Sequence, residues 1–213
     1  MRETYYRKRH RSKRKWIEWQ KYDASMHIAM MRTHSAALRA SSLNVTRIKI
    51  FSDMVSRVGN RLKILDVGCG DGVISEPIVK MGNYVTSVEL PTIATLAQRC
   101  GVTSVVAGDA EQLAFASNSF DIIIASEVLE HLWEPQNFLD EAHRVLRSKG
   151  FLIIETPEGK ESLNYDSHKH YFTVERLKQI LGRRFDLCEV KRLKPTGTAQ
   201  TPTIILLFRK SSQ

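Results

Sequence analysis

The sequence has 213 residues and carries 32 Lys and Arg against 23 Asp and Glu, for a formal net charge of +9. It contains no apolar run near the roughly 20 residues of a membrane span, and its charged N-terminus lacks the apolar segment of a signal peptide. Three widely spaced cysteines argue against a disulfide framework and indicate a reducing compartment, so we expect one cytoplasmic domain.

The positive charge is concentrated at the N-terminus. Residues 1–15 hold eight Lys or Arg against one Glu, whereas residues 16–213 hold 24 basic and 22 acidic groups. This composition predicts a disordered basic tail, and an RNA backbone or an anionic membrane surface would suit it as a partner. We favour the simpler interpretation, a solvated extension without a specific partner. Residues 16–61 contain apolar residues at helical spacing and predict an N-terminal helical cap.

From residue 62 to 213, short apolar runs alternate with amphipathic segments, which is typical of a doubly wound α/β sheet. We predict strands at 63–68, 84–90, 104–109, 120–126 and 150–156, and helices at 73–81, 92–100, 135–147 and 173–182. The final two strands, at 185–193 and 202–209, have no helix between them and should therefore pair antiparallel.

A glycine-rich turn follows the first predicted strand, in the sequence ILDVGCGDG at 64–72. Glycines there permit positive φ and let a ligand approach the backbone, and the helix behind them offers free N–H groups to an anionic group. The second strand ends in Glu89, nineteen residues past Gly70, where a carboxylate can accept hydrogen bonds from both ribose hydroxyls. Together these features predict a nucleoside cofactor.

A dinucleotide-binding turn would have Gly or Ala at position 73, which here is Val73. The spacing D-x-G-x-G-x-G instead resembles the first motif of class I S-adenosylmethionine-dependent methyltransferases, and segments up to about residue 210 resemble the family's later strands. The resemblance implies a mixed seven-stranded, Rossmann-like α/β fold that binds S-adenosylmethionine, with Asp109 on the adenine amine and the Ala110 N–H on a ring nitrogen. The cofactor-binding residues that it implies are Asp66, Gly68, Gly70, Glu89, Leu90, Asp109, Ala110 and Ser126.

Residues that act on the methyl acceptor are expected beyond the carboxyl ends of the strands, where open α/β sheets bind ligands. Methyl transfer from a sulfonium mainly needs alignment, and it needs a base only when the acceptor is protonated, as a phenol or hydroxyl is. His131 is the predicted catalytic base, with packing of the turn as the alternative. For His168 and His170, we favour docking of their loop over the sheet through Tyr171 and Phe172.

A metal site is a second interpretation of the same segment. Glu127, Glu130 and His131 are spaced i, i+3 and i+4, so a helical turn would place all three on one side, and His170 would complete a divalent-metal shell. Two metal-using groups of relatives carry a similar Glu-x-x-Glu-His pattern: the ubiquinone-pathway O-methyltransferases and the small-RNA 3′-terminal ribose 2′-O-methyltransferases. Many relatives with these letters use no metal, so we predict a metal-free site and keep a divalent metal as the alternative.

The sequence thus predicts a methyltransferase that acts on an oxygen atom of a small molecule. An RNA ribose 2′-O-methyltransferase is the main alternative, because of the basic tail and the Glu-x-x-Glu-His segment. A non-catalytic cofactor-binding scaffold is the third hypothesis. These motifs determine neither the methyl acceptor nor the oligomeric state.

Overall fold

A computed structural model describes residues 12–18, 41–165, 167–195 and 201–211 of the chain. The strands are β1 Lys63–Val67, β2 Tyr84–Glu89, β3 Val105–Ala107, β4 Phe120–Ser126, β5 Leu146–Pro157, β6 Phe185–Leu193 and β7 Thr203–Lys210. The helices are α1 at 13–18, α2 Ser42–Val58, α3 Ser75–Lys80, α4 Pro91–Arg99, α5 Pro135–Val145 and α6 Val174–Leu181. Short 3₁₀ helices cover Leu129–His131, Lys160–Asn164 and Gly182–Arg184.

The seven strands form one mixed sheet in the order β3-β2-β1-β4-β5-β7-β6. All neighbouring pairs from β3 to β5 are parallel, and β7 is antiparallel to both β5 and β6. The predicted mixed seven-stranded α/β sheet with a final antiparallel pair is confirmed. The order reverses direction between β1 and β4, so the loops after these two strands flank the crevice in which such sheets bind ligands.

The core lies on both faces of the sheet, which explains why the central strands are apolar without alternation. Along β4, Ile122 and Ile124 pack on one face and Ile123 and Ala125 on the other. Helix α2 covers the first face with Phe51, which is fully buried. Among the helices that the structure describes, none is long and apolar enough to cross a bilayer.

Several predicted boundaries differ from the structure, among them those of α3, β3 and β5. Helix α3 begins at Ser75 rather than at 73, which places Pro77 in its first turn, where the missing N–H of proline costs no hydrogen bond. Strand β3 has three residues instead of six, and Gly108 follows it directly. Strand β5 begins at Leu146, four residues early, because the residues after α5 already lie beside Phe120 of β4.

The described N-terminal residues begin within the predicted tail. Residues 13–18 are helical, and the Ser12 hydroxyl accepts a hydrogen bond from the Lys15 N–H. Residues 13–15, which the sequence assigns to the tail, thus belong to a short helix whose Trp16 is buried. Of the predicted helical cap at 16–61, residues 16–18 and α2 are helical, and 19–40 lie outside the described residues, as do residues 1–11 of the tail.

Candidate active site

The turn after β1 has the open backbone that the sequence predicts. Gly68, Gly70 and Gly72 have φ values of 71°, 53° and 78°, a region that residues with a side chain rarely adopt. A Cβ on Gly68 would lie 2.4 Å from a methyl group of Val128, so packing requires this glycine. A Cβ on Gly70 would meet nothing within 4 Å, so Gly70 borders space that a ligand can fill.

The carboxylate at the end of β2 lies against the same turn. Glu89 accepts the Gly70 N–H through Oε1 at 3.1 Å and the Leu90 N–H through Oε2 at 2.9 Å. Burial raises the pKa of Glu89 to about 7, although these two N–H groups act in the opposite direction. Each carboxylate oxygen keeps acceptor capacity, which suits a pair of ribose hydroxyls.

Asp66, the first residue of the glycine motif, is buried under the turn. Its carboxylate accepts a short hydrogen bond from the Ser75 hydroxyl, which joins the end of β1 to the start of α3. Burial raises the pKa of Asp66 to about 6, and the bond from Ser75 opposes this shift. The contribution of Asp66 to the predicted cofactor site is therefore to fix the shape of the turn.

The predicted adenine-binding acid, Asp109, follows β3 and already has two partners. Its Oδ1 accepts the Glu111 N–H at 2.9 Å, and its Oδ2 lies 3.0 Å from Nζ of Lys13 in α1. Lys13 also forms an ion pair with Glu111 at 2.9 Å. A third of the Asp109 side chain remains exposed, and the neighbouring Ala110 is half-buried, so both stay accessible to an adenine ring.

The segment after β4 does not form the helical turn that its spacing predicts. Glu127 has a left-handed backbone with φ 56°, and the 3₁₀ helix begins only at Leu129. The expected helical turn is therefore wrong, although the carboxyl groups of Glu127 and Glu130 still lie next to each other. Glu130 is fully buried, and its Oε2 accepts a hydrogen bond from the Thr156 hydroxyl at 3.0 Å. Burial raises the pKa of Glu130 to about 7. The pKa of Glu127 is raised well above its usual range, first by burial and then by repulsion from the nearby acids Glu130 and Glu155.

Arg47 of α2 supplies a largely buried cation to these acids. Its Nε and Nη2 donate to the two carboxylate oxygens of Glu155, each at 2.7 Å, which is the bidentate geometry that guanidinium favours. Nη2 also donates to the Ser126 hydroxyl at 2.9 Å, and that hydroxyl donates to Glu155 at 2.5 Å. Burial alone would lower the pKa of Arg47, but the Glu155 carboxylate outweighs burial and raises it. Ser126, a predicted cofactor residue, is thus part of this network.

Three potential metal ligands converge beside the 3₁₀ helix. Glu130, His131 and His168 each offer one ligand atom, and these atoms lie within 4.8 Å of one another. Glu130 Oε1 and His168 Nδ1 are buried and have no hydrogen-bond partner among the described residues. Burial and the nearby His131 lower the pKa of His168 to about 3, so its ring is neutral. One carboxylate and two imidazoles form a donor set that suits a divalent ion.

The loop that carries His168 is attached to the same 3₁₀ helix. The N–H groups of Lys169 and His170 both donate to the Glu130 carbonyl, at 2.7 and 3.2 Å. His131 Nδ1 lies 2.9 Å from the Ser167 carbonyl. Because a carbonyl only accepts, this contact places a proton on Nδ1 and leaves Nε2 as the basic nitrogen of the neutral ring.

The structure changes the predicted metal-ligand set. His170 Nε2 lies 3.4 Å from the Trp133 carbonyl instead of joining the cluster, and Glu127 is not a member either. His168 takes the place predicted for His170, because the loop presents the first of the two histidines to the 3₁₀ helix. The same loop docks over the sheet through Phe172, which is buried.

Comparisons with known proteins agree with this geometry. A family model described as a methyltransferase domain matches residues 65–154. The ubiquinone biosynthesis O-methyltransferase of Parvibaculum lavamentivorans is 31% identical over 128 residues, which cover 57% of this chain and 48% of that protein. The enzyme of the same name from Rhizobium leguminosarum is 35% identical over 101 residues, covering 45% and 40%. The chain thus spans about half the length of the curated relatives it matches, or less.

Solved structures share the fold. The N-methyltransferase NodS from Bradyrhizobium japonicum, in complex with S-adenosyl-l-homocysteine, has a TM-score of 0.70 at 20% identity, covering 81% of this chain and 90% of that chain. The 1,6-didemethyltoxoflavin-N1-methyltransferase of Burkholderia thailandensis has a TM-score of 0.67 at 22% identity, covering 92% and 90%. Residues 65–154 thus match a methyltransferase domain, and the sheet has the fold of S-adenosylmethionine-dependent methyltransferases. The predicted fold is confirmed, and the matched domain and the neighbours with bound S-adenosylhomocysteine support the predicted family and cofactor.

Several residues around the methyltransferase site were not predicted from the sequence. Arg47, Lys13 and Trp16 come from the N-terminal region, where nothing in the local pattern marks one basic or aromatic residue among many. Glu155 did leave a signal, since it is a lone acid within the apolar strand sequence FLIIETP at 151–157. An acid in a strand buried on both faces implies a buried partner, although the sequence does not show which one.

Proposed function

We propose that this domain transfers the methyl group of S-adenosylmethionine to an oxygen atom of a small-molecule acceptor, with His131 as the general base. The names of the curated relatives support oxygen as the acceptor atom, since they are O-methyltransferases of ubiquinone biosynthesis. These matches cover half of each relative or less, so the small-molecule acceptor is proposed by analogy with those enzymes.

The cofactor half of the proposal depends on the glycine turn and the strand-end acids. The open space at Gly70 and the two-point anchoring of Glu89 fit the methionine and ribose parts of the cofactor. Asp109 and Ala110 would hold the adenine ring. When bound, the cofactor supplies a methyl group on a sulfonium, which is already strongly electrophilic. The protein therefore has to align the acceptor and receive its proton.

The observation that carries the base assignment is the tautomer of His131. The contact between Nδ1 and the Ser167 carbonyl, at 2.9 Å, fixes the ring and leaves the basic lone pair on Nε2. An acceptor hydroxyl at this ring would pass its proton to Nε2 while its oxygen forms the bond to the methyl carbon and the bond from that carbon to the sulfonium sulfur breaks, which leaves a neutral thioether. The 3₁₀ helix that carries His131 follows β4, so the ring lies at the edge of the sheet where the glycine turn also lies.

A metal-assisted version of the same reaction is the second candidate. Two buried atoms favour it, Glu130 Oε1 and His168 Nδ1, because neither has a hydrogen-bond partner among the described residues. Both side chains lie in one cluster with His131. A divalent ion held by these three residues would lower the pKa of an acceptor hydroxyl. In that case all three side chains would be ligands.

RNA as the acceptor and a non-catalytic scaffold stay alternatives. The RNA hypothesis depends on the basic tail, most of whose Lys and Arg residues fall at 2–11, outside the described residues. The scaffold hypothesis predicts cofactor binding without transfer to any acceptor. Salt-dependent RNA binding would favour the RNA enzyme.

The test uses the purified protein with isotope-labelled S-adenosylmethionine and a panel of phenols, catechols and short RNAs. If His131 is a metal-free base, EDTA has no effect and His131→Ala slows transfer by roughly 10²–10⁴-fold, with recovery as the pH approaches the pKa of the acceptor. His168→Ala should then be mild. If a metal is bound, EDTA stops transfer, Mg²⁺ or Mn²⁺ restores it, and His168→Ala is nearly as damaging as His131→Ala.

The matched control is His143→Ala, which removes a histidine of α5 whose ring packs on Phe185 of β6. It should leave the rate per folded molecule unchanged. Full activity of folded His131→Ala at every pH would contradict both versions of the proposal. Loss of stability in His131→Ala without loss of rate per folded molecule would assign the residue a purely structural role.

A further inference from the structure

The backbone that follows His131 depends on side chains from distant parts of the chain. The N–H groups of Trp133 and Glu134 donate to Glu111 Oε1, at 2.7 and 3.2 Å. The His131 carbonyl accepts a hydrogen bond from the Trp16 indole Nε1 at 2.7 Å. These backbone groups have no partner in a regular helix or strand, so the side-chain bonds fix the conformation of an irregular turn.

Helix α1 brings Lys13 and Trp16 to this turn together. Lys13 pairs with Glu111 at 2.9 Å, and the Glu111 side chain is only 3% exposed, so Lys13 is the cation beside a buried carboxylate. Trp16 is itself 5% exposed. On the other side, Lys169 lies 3.3 Å above the centre of the Trp133 ring and 5.9 Å from that of Trp16. The N-terminal helix and the loop after β5 therefore hold the turn from two sides.

We propose that Trp16 and Lys13 are positioning residues for His131. The indole holds the His131 carbonyl directly, and Lys13 holds Glu111, which in turn holds the two N–H groups just after His131. Lys13 also pairs with Asp109 at 3.0 Å, so the same helix connects the predicted adenine site to the acceptor side of the domain. This inference rests on the proposed function of His131.

If α1 served only for packing, positions 13 and 16 would tolerate other side chains. Any large ring at position 16 and any long side chain at position 13 would bury enough apolar surface. The positioning role requires an N–H donor at 16 and a cation at 13. Trp16→Phe and Lys13→Met remove these two properties and keep most of the apolar volume, while Lys13→Arg restores the cation.

The experiment compares Lys13→Met, Lys13→Arg, Trp16→Phe and the control Lys15→Met in the full chain. Lys15 is an exposed cation on the same helix, so its substitution removes the same charge without an ion pair to Glu111. Three quantities are measured for each variant. They are the kcat for methyl transfer at saturating S-adenosylmethionine, amide hydrogen exchange at Trp133 and Glu134, and the cofactor Kd from calorimetry.

We expect Lys13→Met and Trp16→Phe to lower kcat by roughly 10- to 100-fold, the effect of a small misplacement of a reacting group. Exchange at Trp133 and Glu134 should rise at least about fivefold in Lys13→Met, because local opening becomes easier. Lys13→Arg should recover most of both losses, and Lys15→Met should match the wild type.

Two results would overturn the inference. One is unchanged amide exchange and unchanged kcat in Lys13→Met, even if Trp16→Phe fails to fold. The other is a higher cofactor Kd with normal kcat at saturation, which would limit Lys13 to the adenine side. If the wild type transfers no methyl group to any acceptor, the proposed function fails, but the exchange measurement still tests whether Lys13 holds the turn.

Discussion

Replacement of Glu89 by glutamine should separate the stability of the domain from its affinity for the cofactor. The burial that raises the pKa of Glu89 to about 7 means that the folded, cofactor-free protein keeps a proton that the unfolded chain loses near 4.5. Between these values the folded state binds more protons than the unfolded state, so the free energy of unfolding falls as the pH rises. The amide of the Glu89→Gln variant stays neutral and avoids this loss.

The size of the effect follows from the shift. A change from 4.5 to about 7 corresponds to about 3 kcal/mol at most, and because the side chain is not fully enclosed we expect about 2 kcal/mol. The stability of Glu89→Gln relative to the wild type should therefore increase by about 2 kcal/mol from pH 5 to pH 8. Urea unfolding at pH 5, 6, 7 and 8 measures this difference.

Cofactor affinity should change in the opposite direction. Hydrogen bonds to a charged group contribute roughly 1.5–3 kcal/mol, so loss of the carboxylate should raise the Kd for S-adenosylmethionine about 10- to 100-fold at pH 8. In the wild type the affinity should increase as the pH rises through 7, and in Glu89→Gln it should be flat. Calorimetry at the same four pH values provides the comparison.

Parallel pH profiles of stability in the two proteins would refute the argument about the buried proton. An unchanged Kd in a folded Glu89→Gln protein would refute the ribose assignment. Because the two measurements are independent, either part of the reasoning can fail without the other.

Two further predictions concern the glycine turn and the buried ion pair. Gly68→Ala should lower the free energy of unfolding by more than about 2 kcal/mol, because its Cβ would lie 2.4 Å from a valine methyl group. Gly70→Ala should cost only about 1 kcal/mol of backbone strain but should weaken cofactor binding, so normal calorimetric affinity in Gly70→Ala would contradict the site. Arg47→Met leaves Glu155 buried without its cation and should cost about 3–5 kcal/mol in urea unfolding. The control Arg57→Met removes an exposed ion pair and should cost less than about 1 kcal/mol, so equal losses would show that burial does not matter here.

Features that depend on local chemistry were predictable from the amino-acid sequence. Continuous apolar runs predict strands buried on both faces, and alternation with amphipathic segments predicts the parallel part of the sheet. The glycine turn and the strand-end acid Glu89 were identifiable because a positive φ favours glycine and because a predicted nucleoside site places its carboxylate at a particular distance from the turn. These rules concern neighbours in the chain, so they need no knowledge of packing.

Tertiary packing selected the distant side chains that complete the site. Arg47 and Glu155 are 108 residues apart, and Trp16 reaches the carbonyl of a residue 115 positions away. The choice of His168 over His170 depends on how the loop docks on the 3₁₀ helix. Such contacts form only when helices and loops pack at the edge of the sheet. They could not be predicted because many other pairings of basic, acidic and aromatic residues fit the same sequence pattern equally well.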